Sequence, residues 1–422
     1  MDKKKIIMAV SLILCSLTSF SQRKADYEPL SKSQQADINS IIVANSVSSF
    51  FVNDCLPIGP INLTNFLNIV SYNPVEGTRI RLSAETNDKM FAGNKFLRNR
   101  LAFSGMVAYG TKDNEIKYAV GAAFNFAKKP RGVYGFPCST LTINWEDNTY
   151  MPSSPNYDVA YFSFGDWDRF YFAKKKQLTV SFLKEFSSYF AIRPYVYWQK
   201  IDSYMLYDNG YTVEQLDPAY DYINKAGGIT LSYTPKSQKG EALNILNSRF
   251  YSLPTQIMVD YSYNRREYKS THDYSRLEAS VQHRFQFLPM CLDLKLTGGA
   301  ILGNSGRFMR FTPNYRVSSV SNIFGFNLYS PNELSFSSYL QTFTQLNFGG
   351  LLLDNIKYLK QFRPNEFINF KALFTEYEDI YCEVGVGIDH ILGFLGFEFV
   401  KRLSQDNPYG MPEWAIKIRC TL

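Results

Sequence analysis

The fold is decided by residues 71–126, SYNPVEGTRIRLSAETNDKMFAGNKFLRNRLAFSGMVAYGTKDNEIKYAVGAAFNF. Its first run alternates, so that Ile80 and Leu82 share one face of an extended chain while Arg79 and Arg81 share the other. A β-strand sends successive side chains to opposite faces, and this periodicity is the main sequence signal for a strand. The run therefore predicts a strand with one apolar face and one charged face.

Two further runs in the same stretch, residues 101–109 and 116–126, repeat the alternation around the polar connection 110–114. Gly, Asp and Asn in that connection are typical turn residues. Each run is close to ten residues long, whereas strands of soluble proteins usually have about five or six. About ten residues, tilted near 45°, span a bilayer. The stretch predicts antiparallel strands of a membrane β-barrel, with lipid outside and a polar lumen.

The composition agrees with a barrel and excludes some other classes. Aromatic residues make up 16% of the 422 residues, with 30 Tyr and 34 Phe, and aromatic girdles at two membrane interfaces account for such a content. A large soluble all-β protein with an aromatic core is the alternative. The net charge of +7 is spread along the alternating strands, so no nucleic-acid partner is predicted.

The amino terminus has the layout of a secretory signal peptide. Three lysines, Lys3 to Lys5, precede an apolar run from Ile6 to Leu14, which is too short to span a bilayer as a helix. We predict a signal peptide over residues 1–21, with cleavage after Ser21. Cys15 leaves open a lipoprotein, although the preceding Leu14 is larger than lipoprotein processing prefers. An exported chain of this kind is expected in the outer membrane.

Residues 22–60 differ in composition from the rest of the chain and predict a short periplasmic N-terminal segment. A helix is expected over residues 34–42, capped by Ser31 or Ser33. It either leads into the barrel or acts as a plug or docking helix. The prolines in residues 56–60 are expected to break any regular strand. The barrel is predicted over residues 61–422.

The remaining alternation predicts an all-β chain. We count about sixteen spanning strands, within a range of roughly 14 to 18, since single-chain bacterial barrels have even numbers. The segment 304–336 resists assignment. No repeat with a period of tens of residues is visible, which argues against propellers and solenoids. The predicted fold class is a transmembrane antiparallel β-barrel with a short N-terminal helical segment.

Charged residues on the polar faces define one candidate site. Closing a barrel brings its first and last strands together, so inward-facing charges on those strands are expected to form a mixed-sign cluster near the seam. Such a cluster either fills and stiffens the lumen or forms a selectivity ring or a site for a charged ligand. Its predicted members are Arg79, Arg81, Glu85, Glu383, Glu398, Arg402, Lys417 and Arg419.

No enzyme, metal or cofactor chemistry is predicted. Of the three histidines, His283 is three residues from Ser280, so the two side chains point to opposite faces of one strand and cannot form a catalytic pair there. The glycines of residues 298–303 lack the Lys-Ser/Thr of a phosphate-binding loop. Once Cys15 is removed with the signal, five cysteines without a Cys-x-x-Cys spacing remain, and we predict that they are free.

Four segments carry a resemblance to a known family. They are SYNPVEGTRIRL (71–82), AYGTKDNEIKY (108–118), NELSFSSYLQTFTQLNFGGLLLDNIKYLKQFRPNEF (332–367) and IYCEVGVGIDHILGFLGFEFVKRL (380–403). Together they resemble an outer-membrane β-barrel family of unknown function, whose longer members carry an N-terminal carboxypeptidase-regulatory-like domain. The resemblance covers about residues 50–422, and that N-terminal domain is absent here. It implies fold and location more than activity, and more distantly it extends to the sixteen-stranded barrels of outer-membrane assembly factors and surface antigens.

Three functions follow from this sequence. The first is a non-enzymatic scaffold or accessory subunit of an outer-membrane complex, with membrane lipid and other outer-membrane proteins as partners. The second is a passive, porin-like channel for small solutes. The third is a remote assembly or translocation factor. That function requires a loop directed into the lumen at the seam, and the sequence lacks the Arg-Gly-Phe or Arg-Gly-Tyr motif that assembly factors place there.

Overall fold

The computed structural model describes most of the second of the two units into which the chain divides, Asp54–Leu422. The predicted signal peptide and N-terminal helix lie outside the described residues. The structure describes residues 55–64, 69–73, 75–87, 89–128, 133, 138–150, 171–186, 189–206, 222–235, 255–266, 270, 272–287, 289–305, 309–313, 321, 323–329, 336–356, 364–377, 380–391, 395–404 and 413–420.

The described residues form an all-β fold, with a turn of 3-10 helix at Leu353–Asn355 in one of the connections. No helix among them is long and apolar enough to cross a membrane. The strands are β1 (Cys55–Ile58), β2 (Ile61–Thr64), β3 (Val70–Asn73), β4 (Gly77–Thr86), β5 (Leu101–Gly110), β6 (Ile116–Asn125), β7 (Ser139–Tyr150), β8 (Tyr171–Glu185), β9 (Phe190–Leu206), β10 (Tyr222–Tyr233), β11 (Gln256–Asn264), β12 (Asp273–Phe287), β13 (Met290–Asn304), β14 (Ser338–Asn347), β15 (Asn365–Thr375), β16 (Ile380–Ile391), β17 (Leu395–Arg402) and β18 (Trp414–Cys420).

From β4 to β18, each strand pairs antiparallel with the next one along the chain. The short strands β2 and β3 pair with different halves of β4: Ile61 lies opposite Thr86, and Val70 lies opposite Ile80. The two short strands therefore act as one interrupted wall strand. Together with the fifteen strands from β4 to β18, they form a wall about sixteen strands wide, as the sequence predicts.

One local prediction is wrong. Residues 56–60 were expected to break any strand, yet β1 pairs with β2 around a turn at Gly59 and Pro60, with Pro57 opposite Asn62. In the described sheet β1 has β2 as its one partner, so it is an edge strand, where proline is tolerated because its missing N–H is not needed for a second ladder. The sheet thus begins before residue 61.

The described sheet is not closed. Registers connect every strand from β1 to β18, but none of the described pairings joins β18 to β1, β2 or β3. We call the gap between β18 and the β1–β3 edge the seam. The expected contact between the first and last strands is therefore not made through described backbone pairing.

Burial is the reverse of that in a water-soluble protein. Leu82 and Val120 are 57% and 56% exposed on the outer face, while Arg79 and Glu383 are 0% exposed on the inner face. Soluble proteins rarely bury unpaired charges or expose large contiguous apolar surfaces. This alternation excludes a soluble sandwich, which would bury its apolar faces between two sheets. It is the side-chain distribution of an outer-membrane β-barrel.

The two rims of the wall carry different connections, and one of them has an outer band of phenylalanine rings. We call the rim that carries residues 111–115 the upper end and the rim that carries residues 87–100 the lower end. Phenylalanine rings form an outer band at the lower end. Their centroid distances are 4.8 Å for Phe124–Phe126, 6.4 Å for Phe126–Phe182 and 6.2 Å for Phe186–Phe190. Such a band is typical of the level where a barrel leaves the hydrocarbon.

The outer face can be tested at the middle of β6. An arginine in place of Val120 would lie in hydrocarbon, so V120R is expected to lower the free energy of unfolding by about 2–4 kcal/mol. The measurement is urea unfolding of the chain refolded into phospholipid vesicles. V120I keeps the apolar surface and is expected to unfold like the parent. Equal stability of V120R and V120I would contradict a lipid-facing wall.

Candidate functional site

The long connection between β13 and β14 folds against the inner wall. We call its described residues 309–313, 321 and 323–329 the inward segment. A backbone bridge joins Phe311 to Phe336, and the guanidinium of Arg276 lies 4.3 Å from the centre of the Phe311 ring. Gly299 leaves room for that ring, since a Cβ atom there would lie 2.5 Å from Phe311 Cζ. The first part of the inward segment is thus packed on β12 and β13.

A carboxylate on β16 holds the second part of the inward segment. Glu383 accepts hydrogen bonds from the backbone N–H of Asn327, at 3.1 and 2.9 Å to its two oxygens, and from the N–H of Leu328 at 2.7 Å. The Tyr381 hydroxyl donates to the same carboxylate at 2.5 Å. Hydrogen bonds to a buried charge are stronger than neutral ones. Glu383 therefore fastens the backbone of this segment to the wall.

A second carboxylate, on β17, holds side chains of the same segment. Glu398 accepts hydrogen bonds from the Asn327 amide at 3.2 Å, from the Asn369 amide at 2.7 Å and from the Ser321 hydroxyl. The ammonium group of Lys371, on β15, donates to the Gly325 carbonyl at 2.8 Å. Three neighbouring wall strands thus each contribute a polar group to the inward segment.

Aromatic packing excludes water beside these polar contacts. Phe326 is fully buried, with its ring centre 5.1 Å from that of Phe343 and 5.4 Å from that of Tyr381. Tyr329 meets Tyr381 edge-on at 5.0 Å. Ring pairs at these separations are favourable. The inward segment therefore occupies the inner face of β14–β18 as a packed core.

Arg419, on the last strand, connects the carboxylates with the rest of the inner wall. Its Nε lies 2.9 Å from Asp389, one Nη lies 3.7 Å from Glu398, and the other donates to Gln345 at 2.7 Å. Its guanidinium also lies 4.1 Å from the Phe367 ring centre. The two carboxylates balance the charge of this fully buried guanidinium, as a buried charge requires.

The network continues away from the seam. The Gln345 amide donates to Asn347 at 2.6 Å, and the Asn347 amide donates to Asp293 at 3.0 Å. Asp293 in turn accepts from Arg284 at 2.6 and 2.9 Å. A continuous set of buried polar contacts therefore runs from β12 to β18.

The inward segment also reaches the seam. The backbone N–H of Ser321 donates to the carbonyl of Ile418, on β18, at 2.7 Å. On the other side of the seam, β1 covers the edge of β2. Each edge of the seam is thus partly covered by a short segment that is not a spanning strand.

A separate buried cluster lies at the upper end, on β4, β6 and β7. Glu76 pairs with Arg79 at 3.1 Å and with Lys117 at 2.9 Å, and it accepts from the Thr149 hydroxyl at 3.0 Å. Lys117 pairs also with Asp113, in the turn between β5 and β6. These contacts fasten two upper turns to the wall.

The eight predicted site residues therefore lie in more than one place. Arg79 belongs to the upper cluster. The half-buried Arg81 donates to Ser83 at 2.9 Å, and the exposed Glu85 accepts from Asn62 at 3.4 Å. The five from the last strands lie together: in register, Arg402 is opposite Glu383 and Lys417 is opposite Glu398, with Arg419 nearby. The predicted single cluster across the seam is not present in the described contacts.

The reason for this division is the position of β4. It is one strand removed from the seam, because β2 and β3 pair along its outer edge. The prediction from the sequence took β4 as the first spanning strand. The prediction omitted Lys371 and Asp389. Lys371 lies between Phe370 and Ala372, which share the outward parity of their strand, so the alternation would have identified Lys371 as an inward-facing charge. Nothing local in the sequence marks Glu76 as buried.

The two histidines whose side chains the structure describes, His272 and His283, form no catalytic group with Ser280. His283 contacts Thr255 at 2.8 Å and packs edge-on against Phe285, on the outer face. Burial and then the charge of Arg266 lower the pKa of His272, which lies in the connection before β12. In the part of the chain that the structure describes, no group of three His, Cys, Asp or Glu could hold a metal ion. Among the described side chains, Cys138, Cys291 and Cys382 are free, as predicted.

Residues 221–388 match the C-terminal domain of a family of unknown function, DUF5686. This match confirms the resemblance seen in the sequence, and it includes β10 to β15, most of β16 and the inward segment. No curated protein matches the chain in sequence.

Three solved structures align with this chain. BamA from Haemophilus ducreyi lacking POTRA domains 1–3 aligns with a TM-score of 0.51 and 9% identity, over 83% of this chain and 69% of that one. CdiB from Acinetobacter baumannii and from Escherichia coli align at 9% identity with TM-scores of 0.42 and 0.45, over 83% and 86% of this chain. This chain spans 57% and 62% of the two CdiB chains. At this identity the BamA alignment shows a common barrel fold.

The hold of Glu383 on the inward segment can be measured. E383A leaves two buried N–H groups and the Tyr381 hydroxyl without their acceptor, at a cost of about 1–3 kcal/mol for each group that stays unpaired. We expect faster chymotrypsin cleavage within residues 323–329. We also expect current steps in planar bilayers for E383A and none for the parent.

The matched control is E85A, which removes an exposed carboxylate with a single described hydrogen bond of 3.4 Å. It is expected to behave like the parent. Equal protease resistance and equal silence of E383A and E85A would show that Glu383 does not hold the segment.

Proposed function

We propose that this chain is a non-enzymatic outer-membrane β-barrel that acts as a scaffold or accessory subunit of an outer-membrane complex. Its predicted signal peptide, residues 1–21, would direct its export. The seam between β18 and the β1–β3 edge is the proposed contact with other outer-membrane proteins. The observation that carries the proposal is the combination of an unjoined seam with an occupied inner face.

The first support comes from the outer wall. Exposed apolar side chains follow the outward parity of successive strands, while charges lie on the opposite face. Only hydrocarbon or a protein surface of similar polarity would cover such a wall favourably. This arrangement supports a position within the outer membrane.

The second support comes from the seam. In hydrocarbon, every unpaired backbone N–H or C=O group costs several kcal/mol, which is why spanning barrels have no free edge. In the described residues, Ser321 covers one carbonyl of β18, and β1 covers the four residues of β2. A strand or loop of another outer-membrane protein could satisfy the remaining groups, and such edge pairing is a common recognition mode.

The occupied inner face argues against the porin-like alternative. A passive channel needs a continuous aqueous path, whereas here Phe326, Tyr329 and the buried polar network fill the inner face of β14–β18. The charged residues of that face are paired with each other and with the inward segment. They are therefore better suited to holding that segment than to selecting a solute.

The seam contact is tested by photo-crosslinking in cells. A photoreactive residue in place of Ile416, which is 66% exposed on β18, is expected to trap another outer-membrane protein in one discrete product. The matched control is the same residue in place of Val107, outward-facing on β5 between two paired strands. Identical products at both positions, or isolation of this chain alone from outer membranes, would contradict the proposal.

A second candidate is an assembly or translocation factor. One specific observation favours it, namely that the inward segment is anchored on β16–β18 and reaches the seam through Ser321. The absence of the Arg-Gly-Phe motif therefore does not preclude an inward segment; Phe324-Gly325-Phe326 lies in it instead.

This second function has a distinct consequence. Depletion of the chain is expected to reduce the amounts of several other outer-membrane barrels, measured by quantitative mass spectrometry of outer membranes. A scaffold would change the recovery of its own complex alone. Normal amounts of other barrels after depletion would reject the assembly function.

A further inference from the structure

The connection between β4 and β5 lies against the outer wall at the lower end. The ring centre of Phe91 is 6.4 Å from that of Phe103, and the ring centre of Phe96 is 6.1 Å from that of Phe124. Phe103 and Phe124 both face outward at the lower end. We call residues 87–100 the rim loop. Its two phenylalanines therefore extend the outer phenylalanine band.

The rim loop has a defined shape. Its backbone makes successive turns, in which the N–H of Asn94 donates to Phe91 at 2.9 Å and that of Arg98 donates to Asn94 at 2.9 Å. The Asn94 side chain accepts from the N–H groups of Phe96 and Leu97 at 3.0 and 3.2 Å. These bonds keep Phe96, which is 64% exposed, on the outer side.

Arg100 ties the rim loop to the next connection. Its guanidinium donates to the carbonyls of Asn125, Ala127 and Lys128 at 3.1, 2.6 and 3.0 Å. It also lies 5.5 Å from the centre of the Phe96 ring. Arg100 thus has a positioning role, and the other cations of the loop remain at its surface.

The rim loop carries a net positive charge. It contains four cations and a single acidic residue, Asp88, which gives a net charge of +3 in fourteen residues. The side chains of Lys89, Lys95 and Arg98 are all exposed. Cations and exposed aromatic residues therefore occur together on a short segment that is continuous with the lipid-facing wall.

We propose that the rim loop binds the phosphate groups of anionic phospholipids in the leaflet at the lower end. Aromatic belts lie at the headgroup level, and long basic side chains beside them reach outward to the phosphates. Basic residues near an anionic bilayer surface gain attraction individually. The inference rests on the proposed membrane location, and it adds a lipid class and a site to it.

The test uses the full chain with F96W, refolded into vesicles of phosphatidylcholine with 20 mol% phosphatidylglycerol. Quenching of the new tryptophan by brominated phosphatidylglycerol is compared with quenching by brominated phosphatidylcholine. We expect preferential quenching by the anionic lipid. In the K95Q/R98Q background, that preference is expected to fall about fivefold for each cation removed.

The matched control is R266Q/K401Q, which removes two exposed cations from the upper end. It is expected to keep the preference of the parent. Equal quenching of F96W by both lipids, or an equal loss of preference in the two double variants, would overturn the inference.

Failure of the inference is distinguishable from failure of the proposed function. Trp145 and Trp198, stacked at 5.9 Å on the outer wall, report on the barrel itself. If they are quenched by either brominated lipid while F96W is not, the barrel is in the bilayer and the rim-loop inference is wrong. If none of the tryptophans is quenched, the membrane location is wrong and the rim-loop inference falls with it.

Discussion

The structure depends on the different surroundings of the two faces of one sheet. Because strand side chains alternate, each wall strand can present apolar groups outward and polar groups inward without any change in its backbone. Leu82 and Arg79 show this on a single strand, one exposed and the other buried. The same constraint explains why charges can accumulate inside: the outer face excludes them, so the inner face must receive them. The inner charges then have to be balanced against each other.

Hydrogen bonds between the inner wall and the inward segment contribute to that balance. Buried charges are costly unless they are paired and hydrogen-bonded. Glu383 and Glu398 meet this condition by accepting hydrogen bonds from the inward segment, while Lys371 donates to it and Arg419 joins the carboxylates to the amides of β14. The segment is therefore part of the core of the barrel. Its contact with β18 links the interior of the molecule to the seam, so the interior and the proposed partner surface are structurally connected.

Two regions of the outer surface differ from the rest of the wall. Around most of the wall the described strands are paired on both sides, and the outward side chains are mainly apolar. The seam differs because the described residues cover its backbone edges only in part, and the rim loop differs because it joins exposed phenylalanines to exposed cations. One region is suited to protein and the other to phospholipid. An accessory subunit held in the membrane by its rim and joined to a partner at its seam would use both.

The sequence by itself determined the all-β fold, the approximate width of the sheet and the face on which residues such as Arg79, Glu398 and Ile416 lie, since these depend on a period of two along the chain. It also contained the signal for Lys371. Only the tertiary structure decided which charges meet. Arg79 joins Glu76 rather than the last strands, because β2 and β3 separate β4 from the seam. It also decided the course of the inward segment, which lacks an alternating pattern and is held by carboxylates more than fifty residues away. Local periodicity specifies the orientation of a side chain, but contacts between distant segments depend on how the whole sheet curves.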